Sequence, residues 1–409
     1  MCYICFLQRA NIMEELFDEH RIFLDGINLD FKRSLSAKIP WNERLLGIQG
    51  FRGVGKTTMI LQYIKETYGK SDKALFVSLD NIYFSDNRLV DMVKEFVAKG
   101  GEHLFLDEVH KYPDWSVELK NIYDLHKNLK VTFTASSLLE IINSKADLSR
   151  RAIVFFMQGL SFREYLNFTL NTDLKSFTLD EILNDHKQIS DDILKEIKPI
   201  KYFKSYISSG YYPFFKQSEK FYYNRIQSII NMVIEIELPL LRDVEPGKIS
   251  KIKQLLYVIS QSVPFKPNIS KLAERVGVTR NTLVEYINHL ADTKLLNKLY
   301  ANSYGISLLQ KPDKLYLENT NLSYALANND PDMGNLRETF FLNQLSESHK
   351  ITYPKTGDFL VDDKYLFEVG GKSKTQKQIA GIENSFIAAD DIEYGFRNKI
   401  PLWLFGFMY

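Results

Sequence analysis

Nine residues, Gly50-Phe51-Arg52-Gly53-Val54-Gly55-Lys56-Thr57-Thr58, constrain this chain more than any other stretch. They fill every fixed position of G-x-x-x-x-G-K-[ST], whose glycines let backbone N–H groups close round phosphate oxygens. That chemistry needs a strand before the loop and a helix after it. Leu45-Leu46-Gly47-Ile48 is an apolar run that predicts a buried strand. Met59-Ile60-Leu61-Gln62-Tyr63-Ile64 predicts the opening turns of a helix, whose N-terminus adds partial positive charge. Gly50, Arg52, Gly53, Val54, Gly55, Lys56, Thr57 and Thr58 are the expected contacts to a nucleoside triphosphate. Lys56 is placed to reach the β- and γ-phosphates, and the Thr57 hydroxyl to hold Mg²⁺.

A second apolar run, Lys73-Ala74-Leu75-Phe76-Val77-Ser78-Leu79-Asp80, predicts another strand, and the period over Asn87–Ala98 predicts a helix. Fifty residues beyond the loop, Glu102-His103-Leu104-Phe105-Leu106-Asp107-Glu108 gives a strand ending in two acids. Asp107 is the expected second Mg²⁺ residue, and Glu108 the group that polarises an attacking water. The pair could instead cap the next helix. Leu129-Lys130-Val131-Thr132-Phe133-Thr134 predicts a further strand leading into Ala135-Ser136-Ser137. Ser136, with Thr134 in reserve, could sense the γ-phosphate or merely cap the following helix. Strands alternating with helices predict an α/β core on a parallel sheet, with ligand beyond the strand carboxyl ends.

From Asp147 the chain runs through Arg150-Arg151 to Leu160-Ser161-Phe162-Arg163-Glu164-Tyr165. With Gly50–Thr57, Asp107-Glu108, Trp115 and Thr134–Ser137 before it, and Gly210-Tyr211-Tyr212-Pro213 after it, this order resembles a prokaryotic AAA+-type ATPase family. Those proteins carry a C-terminal domain of unknown function. The resemblance covers nearly all of the chain from about residue 20. It implies an AAA+-type core, ATP as ligand and a cytoplasmic role. Arg151 matches the family's arginine, an expected γ-phosphate group whose alternative is an ion pair with an acid such as Asp147. The family's Gly-Ser-Ser stands here as Ala135-Ser136-Ser137. Asp107-Glu108-Val109-His110 also spells a helicase-style box, but no second set of alternating strands and helices follows it.

Five segments are expected: a 1–12 extension, a 13–166 ATPase core, a 167–249 helical lid, a 250–310 winged helix and a 311–409 nuclease-like domain. Thr178-Leu179-Asp180-Glu181 is a capping box, and the aromatic run Tyr202–Tyr223 suits packing. Ile269–Ile287 predicts a helix-turn-helix with Gly277 at the turn and Ala273 and Leu283 packed between the helices. Lys294–Tyr300 and Asn302-Ser303-Tyr304-Gly305 predict a wing. Thr279, Arg280, Asn281 and His289 would face a groove, beside the acids Glu285 and Asp292. DNA and a protein partner both remain open, since the formal charge is 52 − 51 = +1.

Asp358-Phe359-Leu360-Val361 and Tyr365-Leu366-Phe367-Glu368-Val369 predict a hairpin. Glu338, Asp358, Glu368 and Lys372 across it are similar to the core of restriction-type nucleases. Such enzymes read acid-x-lysine on one strand, whereas Glu368-Val369-Gly370-Gly371-Lys372 puts glycine in the lysine's place, so a non-cutting domain is expected. No apolar run is long enough to span a bilayer, and no secretion signal opens the chain. Cys2 and Cys5 lie in the extension, ahead of a more ordinary start at Met13.

Overall fold

A computed structural model describes residues 3–135, 147–217, 219–242, 244–261, 266–301, 311–327 and 330–409. The chain divides into two compact units, 1–158 and 159–409.

The first unit begins with helix α1 (Tyr3–Asp25). A short helix α2 (Ser34–Lys38) follows. Then come strand β1 (Leu45–Gln49), helix α3 (Lys56–Thr67), strand β2 (Ala74–Ser78) and helix α4 (Leu89–Ala98). Strand β3 (His103–Asp107), helix α5 (Trp115–Leu125), strand β4 (Lys130–Ala135) and strand β5 (Ile153–Phe156) complete the set. The sheet order is β2-β3-β4-β1-β5, parallel throughout. Parallel strands buried on both faces need unbroken apolar runs, and β1 and β3 are buried at every position. Gly47 is required by packing: a Cβ there would sit 2.8 Å from the Phe133 ring.

Strand β5 was not legible in the sequence. It is a short edge strand, with Ile153 and Val154 partly exposed, so it lacks the burial that marks the other four. The sheet brings the carboxyl ends of β3, β4 and β1 side by side, which is where Asp107, Ala135 and Gln49 end their strands.

In the second unit the segment 160–166 packs with later residues. Phe162 is fully buried against Phe203, Tyr206 and Phe407. Ser161 caps the helix Phe162–Leu170 in a reciprocal box with Glu164, and Thr178 does the same with Glu181 for Leu179–Glu196. Buried Tyr206, Tyr211, Tyr212 and Tyr222 form an aromatic core stitched by Asn321, whose Oδ1 accepts from Tyr222 and whose Nδ2 donates to the Ile207 carbonyl. Helices Ile269–Val276 and Arg280–Asp292 follow, then antiparallel strands β6 (Leu296–Leu299) and β7 (Lys314–Leu317). The expected wing tip, 302–305, lies outside the described residues.

The last sheet is β12-β11-β10-β9-β8: β8 (Ile351–Thr352), β9 (Phe359–Val361), β10 (Tyr365–Gly370), β11 (Ser385–Ala389) and β12 (Lys399–Pro401). Strands β9 and β10 form an antiparallel hairpin, while β10, β11 and β12 run parallel. The helix Met333–Leu345 lays Phe341 against Phe359, Phe367 and Phe405.

Arg163 ties this unit together. Its Nε donates to the Tyr409 carbonyl at 2.9 Å and one amino group to the Leu174 carbonyl at 2.8 Å, while Ser161 Oγ donates to Tyr409 at 2.7 Å. Charged-donor hydrogen bonds at a buried site are worth about 1.5–3 kcal/mol each. Arg163→Ala is therefore expected to cost about 3 kcal/mol in urea unfolding. A cost below about 0.5 kcal/mol would show that this anchor contributes little.

Candidate functional site

The phosphate loop bridges β1 and α3 in a conformation few residues other than glycine adopt. Gly53 and Gly55 have φ of 83° and 99°. At Gly50 a Cβ would fall 2.3 Å from the Met157 carbonyl oxygen, so no larger residue fits. Buried Val54 seats the loop, and Thr58 faces solvent on the first turn of α3. Lys56 is buried, and its ammonium donates to the carbonyls of Gly50 and Phe51 at 2.8 and 3.1 Å.

Asp107 is held from two sides. Thr57 Oγ1 donates to its Oδ2 at 2.8 Å, and Thr134 Oγ1 donates to its Oδ1. Burial pushes the Asp107 carboxyl up, and the hydrogen bonds from Thr134 and Thr57 oppose that. Thr134 Oγ1 also accepts the Glu108 backbone N–H at 3.0 Å. Glu108 itself sits in the left-handed region, φ 53°, ψ 42°, an unusual place for a residue with a Cβ. Its carboxylate meets Arg52 at 3.3 Å and His110 at 3.5 Å. Burial, with Lys111, Lys56 and Arg52 nearby, pulls the His110 imidazole down to about 3, so it is neutral at pH 7.

The structure thus gathers Gly50–Thr57, Asp107, Glu108 and Thr134 at neighbouring strand ends. Thr57 and Asp107 fit Mg²⁺, which takes one or two protein oxygens and completes its octahedron with phosphates and water. Their oxygens already converge at 2.8 Å. Ser136 lies outside the described residues; Thr134, the reserve, is the hydroxyl that touches both acids.

Arg33 was missed by sequence reasoning. Buried ahead of the sheet, it donates to the Val54 carbonyl at 2.7 Å and the Gln158 carbonyl at 2.8 Å, clamping the loop to the end of the unit. Its partners are backbone atoms 21 and 125 residues away, so no local pattern marks it.

Arg151 makes an ion pair with a carboxylate of helix α5. Its guanidinium forks onto Asp124, Nε to Oδ1 at 3.1 Å and an amino group to Oδ2 at 3.2 Å. That geometry favours the ion-pair alternative. Arg151→Ala is expected to leave turnover within about twofold, since a half-exposed pair contributes under about 1 kcal/mol. A loss of more than about tenfold would restore a phosphate role.

In the second unit Gly277, φ 72°, makes the turn between the two helices, and Thr279 caps the second. Thr279, Arg280, Asn281 and Glu285 are exposed, but His289 is buried and 3.5 Å from Glu285. His289 is thereby removed from the groove-facing set, because its face of the helix packs inward.

Around the acids of the last sheet, Lys314 of β7 reaches Glu338 at 3.1 Å and Asp358 at 3.8 Å, and Tyr316 donates to Glu338 at 2.6 Å. The lysine beside buried Glu368 is Lys374, at 2.9 Å but outside hydrogen-bond geometry. Lys372 pairs instead with exposed Asp391 at 3.2 Å, because β10 ends at Gly370 and the chain turns away. Among the described residues no group of three His, Cys, Asp or Glu side chains could hold a metal, and no helix is long and apolar enough to cross a membrane.

A family model described as an AAA domain matches residues 42–166. A second, a domain of unknown function (DUF8612), matches residues 200–333. The chain is 26% identical over 369 residues to a curated Methanocaldococcus jannaschii protein, "Uncharacterized protein MJ1637", covering 82% of this chain and 77% of the relative. Solved structures similar to it include a DNA replication initiation factor (14% identity, 63% of this chain and 85% of that one, TM-score 0.26). Others are AMPPCP-bound DnaA from Aquifex aeolicus (14%, 70% and 88%, TM-score 0.25) and C. elegans PCH-2 (15%, 68% and 68%, TM-score 0.22). The phosphate loop, the five-stranded parallel sheet and the acid pair all fall within 42–166, the span over which the AAA-domain model matches.

Proposed function

We propose that this chain binds ATP with Mg²⁺ and hydrolyses it slowly, at the site built by Gly50–Thr58, Asp107 and Glu108. The observation that carries the reading is the run of contacts from Thr57 through Asp107 and Thr134 to Glu108, set beside the phosphate loop. Lys56 and the loop N–H groups bind the phosphates. Mg²⁺, held by Thr57 and Asp107, supplies charge neutralisation on the phosphate oxygens. Glu108 takes the proton of the attacking water, and Thr134 holds the backbone from which it does so.

In this reading residues 250–310 act as a winged helix whose contacts depend on the nucleotide state, and 311–409 as a nuclease-like domain that does not cut. Lys314 between Glu338 and Asp358 supports the second part, because those acids already have a buried cation; Lys372 pairs with Asp391, and the lysine beside Glu368 is Lys374. Exposed Thr279, Arg280 and Asn281 favour DNA as the partner, and Glu285 on the same helix favours protein. The cytoplasm is the proposed compartment. ATP hydrolysis measured with and without duplex DNA tests the whole. Turnover that DNA alters supports the DNA reading, turnover indifferent to DNA at low salt moves it to a protein partner, and no turnover rejects the ATPase.

A further inference from the structure

Arg52 lies inside the loop at a variable position of the motif, where sequence reasoning makes it one more phosphate contact. One of its partners in the structure is Glu108. NH1 lies 3.3 Å from Glu108 Oε2, joining the loop to the end of β3 across 56 residues. Both side chains are largely shielded, at 30% and 15% exposure, where an ion pair is screened less than at the surface.

Glu108 needs such a partner. Thr134 fixes its backbone N–H, and the left-handed φ and ψ set where its Cβ points. Neither fixes the carboxylate, which rotates about three side-chain bonds. Of the groups facing it, His110 is neutral at pH 7 because burial disfavours its charged form. Lys56 is turned to the carbonyls of Gly50 and Phe51. Arg52 is the charged donor that meets the Glu108 carboxylate.

We infer that Arg52 is a positioning residue that acts through Glu108, aiming its carboxylate at the attacking water, rather than a ligand that sets nucleotide affinity. The inference rests on the proposed role of Glu108. A misaimed group costs up to about 10²-fold in rate while leaving ground-state binding alone, so the two roles separate in kcat and KM.

The test compares wild type, Arg52→Ala, Arg52→Lys, Glu108→Gln and the double variant Arg52→Ala/Glu108→Gln. Each is assayed for kcat and KM with Mg-ATP, and for Kd with a fluorescent ATP analogue. Arg52→Ala is expected to lower kcat by about 10- to 100-fold, with KM and Kd within about threefold. Arg52→Lys should recover part of the loss, because a cation remains but the fork is gone. The double variant should be no slower than Glu108→Gln, since a residue acting through Glu108 has nothing left to aim. Loss of Kd by about tenfold or more in both backgrounds would make Arg52 a phosphate ligand and overturn the inference. Additive losses of kcat, or an Arg52→Ala rate equal to wild type, would overturn it as well. A wild type that binds the analogue but never turns ATP over would reject the hydrolysis reading and this inference together, so the two failures are told apart.

Discussion

Glu108→Gln is expected to slow ATP turnover by about 10²–10⁴-fold while leaving nucleotide affinity within about threefold. Glutamine keeps the shape and the backbone, so the hydrogen bond from the residue 108 N–H to Thr134 should survive, and the phosphate loop is untouched. What is lost is an oxygen able to take a proton. Lys56→Ala should fail in the other direction, in binding. Its ammonium is buried and already knits the loop through Gly50 and Phe51, so truncation removes a phosphate contact and loosens the cradle at once. Equilibrium binding and single-turnover rates on the two variants separate these outcomes. A wild-type rate in Glu108→Gln would remove Glu108 from the chemistry.

The second large effect is on acid stability, and it belongs to residues 1–158. His20, His103 and His110 all lie there with buried imidazoles. Burial lowers His20 to about 4, and His103 and His110 to about 3, with a neighbouring cation adding to each. The reason is visible in the contacts: His20 Nδ1 accepts the Phe76 N–H, and both ring nitrogens of His103 are engaged by Tyr68 and Thr132.

The sign follows from linkage. With folded values below the unfolded value near 6.5, the unfolded chain takes up protons first as pH falls. Stability is full above about pH 6.5 and is lost between there and about pH 3–4. At pH 5.5 each histidine costs about 1.4 kcal/mol, or about 4 kcal/mol together. Asp107, raised by burial, works with the opposite sign. Urea unfolding of a Trp403→Phe variant leaves Trp41 and Trp115 as reporters within 1–158. Its midpoint should fall steeply from pH 7.5 to 5.5, and His103→Gln should remove about a third of that slope. A midpoint independent of pH in this range would show that the imidazoles ionise in place.

These two effects draw on different levels of legibility. The phosphate loop and strands β1–β4 could be read directly, because a strand buried on both faces needs a continuous apolar run and a tight loop needs glycine at fixed spacing. The two capping boxes carry their partners three residues apart, yet only Thr178–Glu181 stood out; Ser161–Glu164 was hidden inside a motif valued for other reasons. What could not be read was anything depending on a backbone atom far along the chain. Arg33 serves Val54 and Gln158, and Ser161 and Arg163 serve Tyr409, about 250 residues on. Lys374 stands beside Glu368 where Lys372 was considered, since two glycines end the strand before alternation can carry Lys372 to that face. His289, expected to face a groove, is buried on the inward side of its helix.

The central claim is a working ATP site, and the most direct measurement is steady-state hydrolysis of Mg-ATP by the full chain, with Lys56→Ala and Glu108→Gln alongside. Slow turnover is expected in wild type, with no binding of a fluorescent ATP analogue to Lys56→Ala and analogue binding without turnover in Glu108→Gln. Turnover that persists unchanged in both variants would place the activity elsewhere and contradict the account.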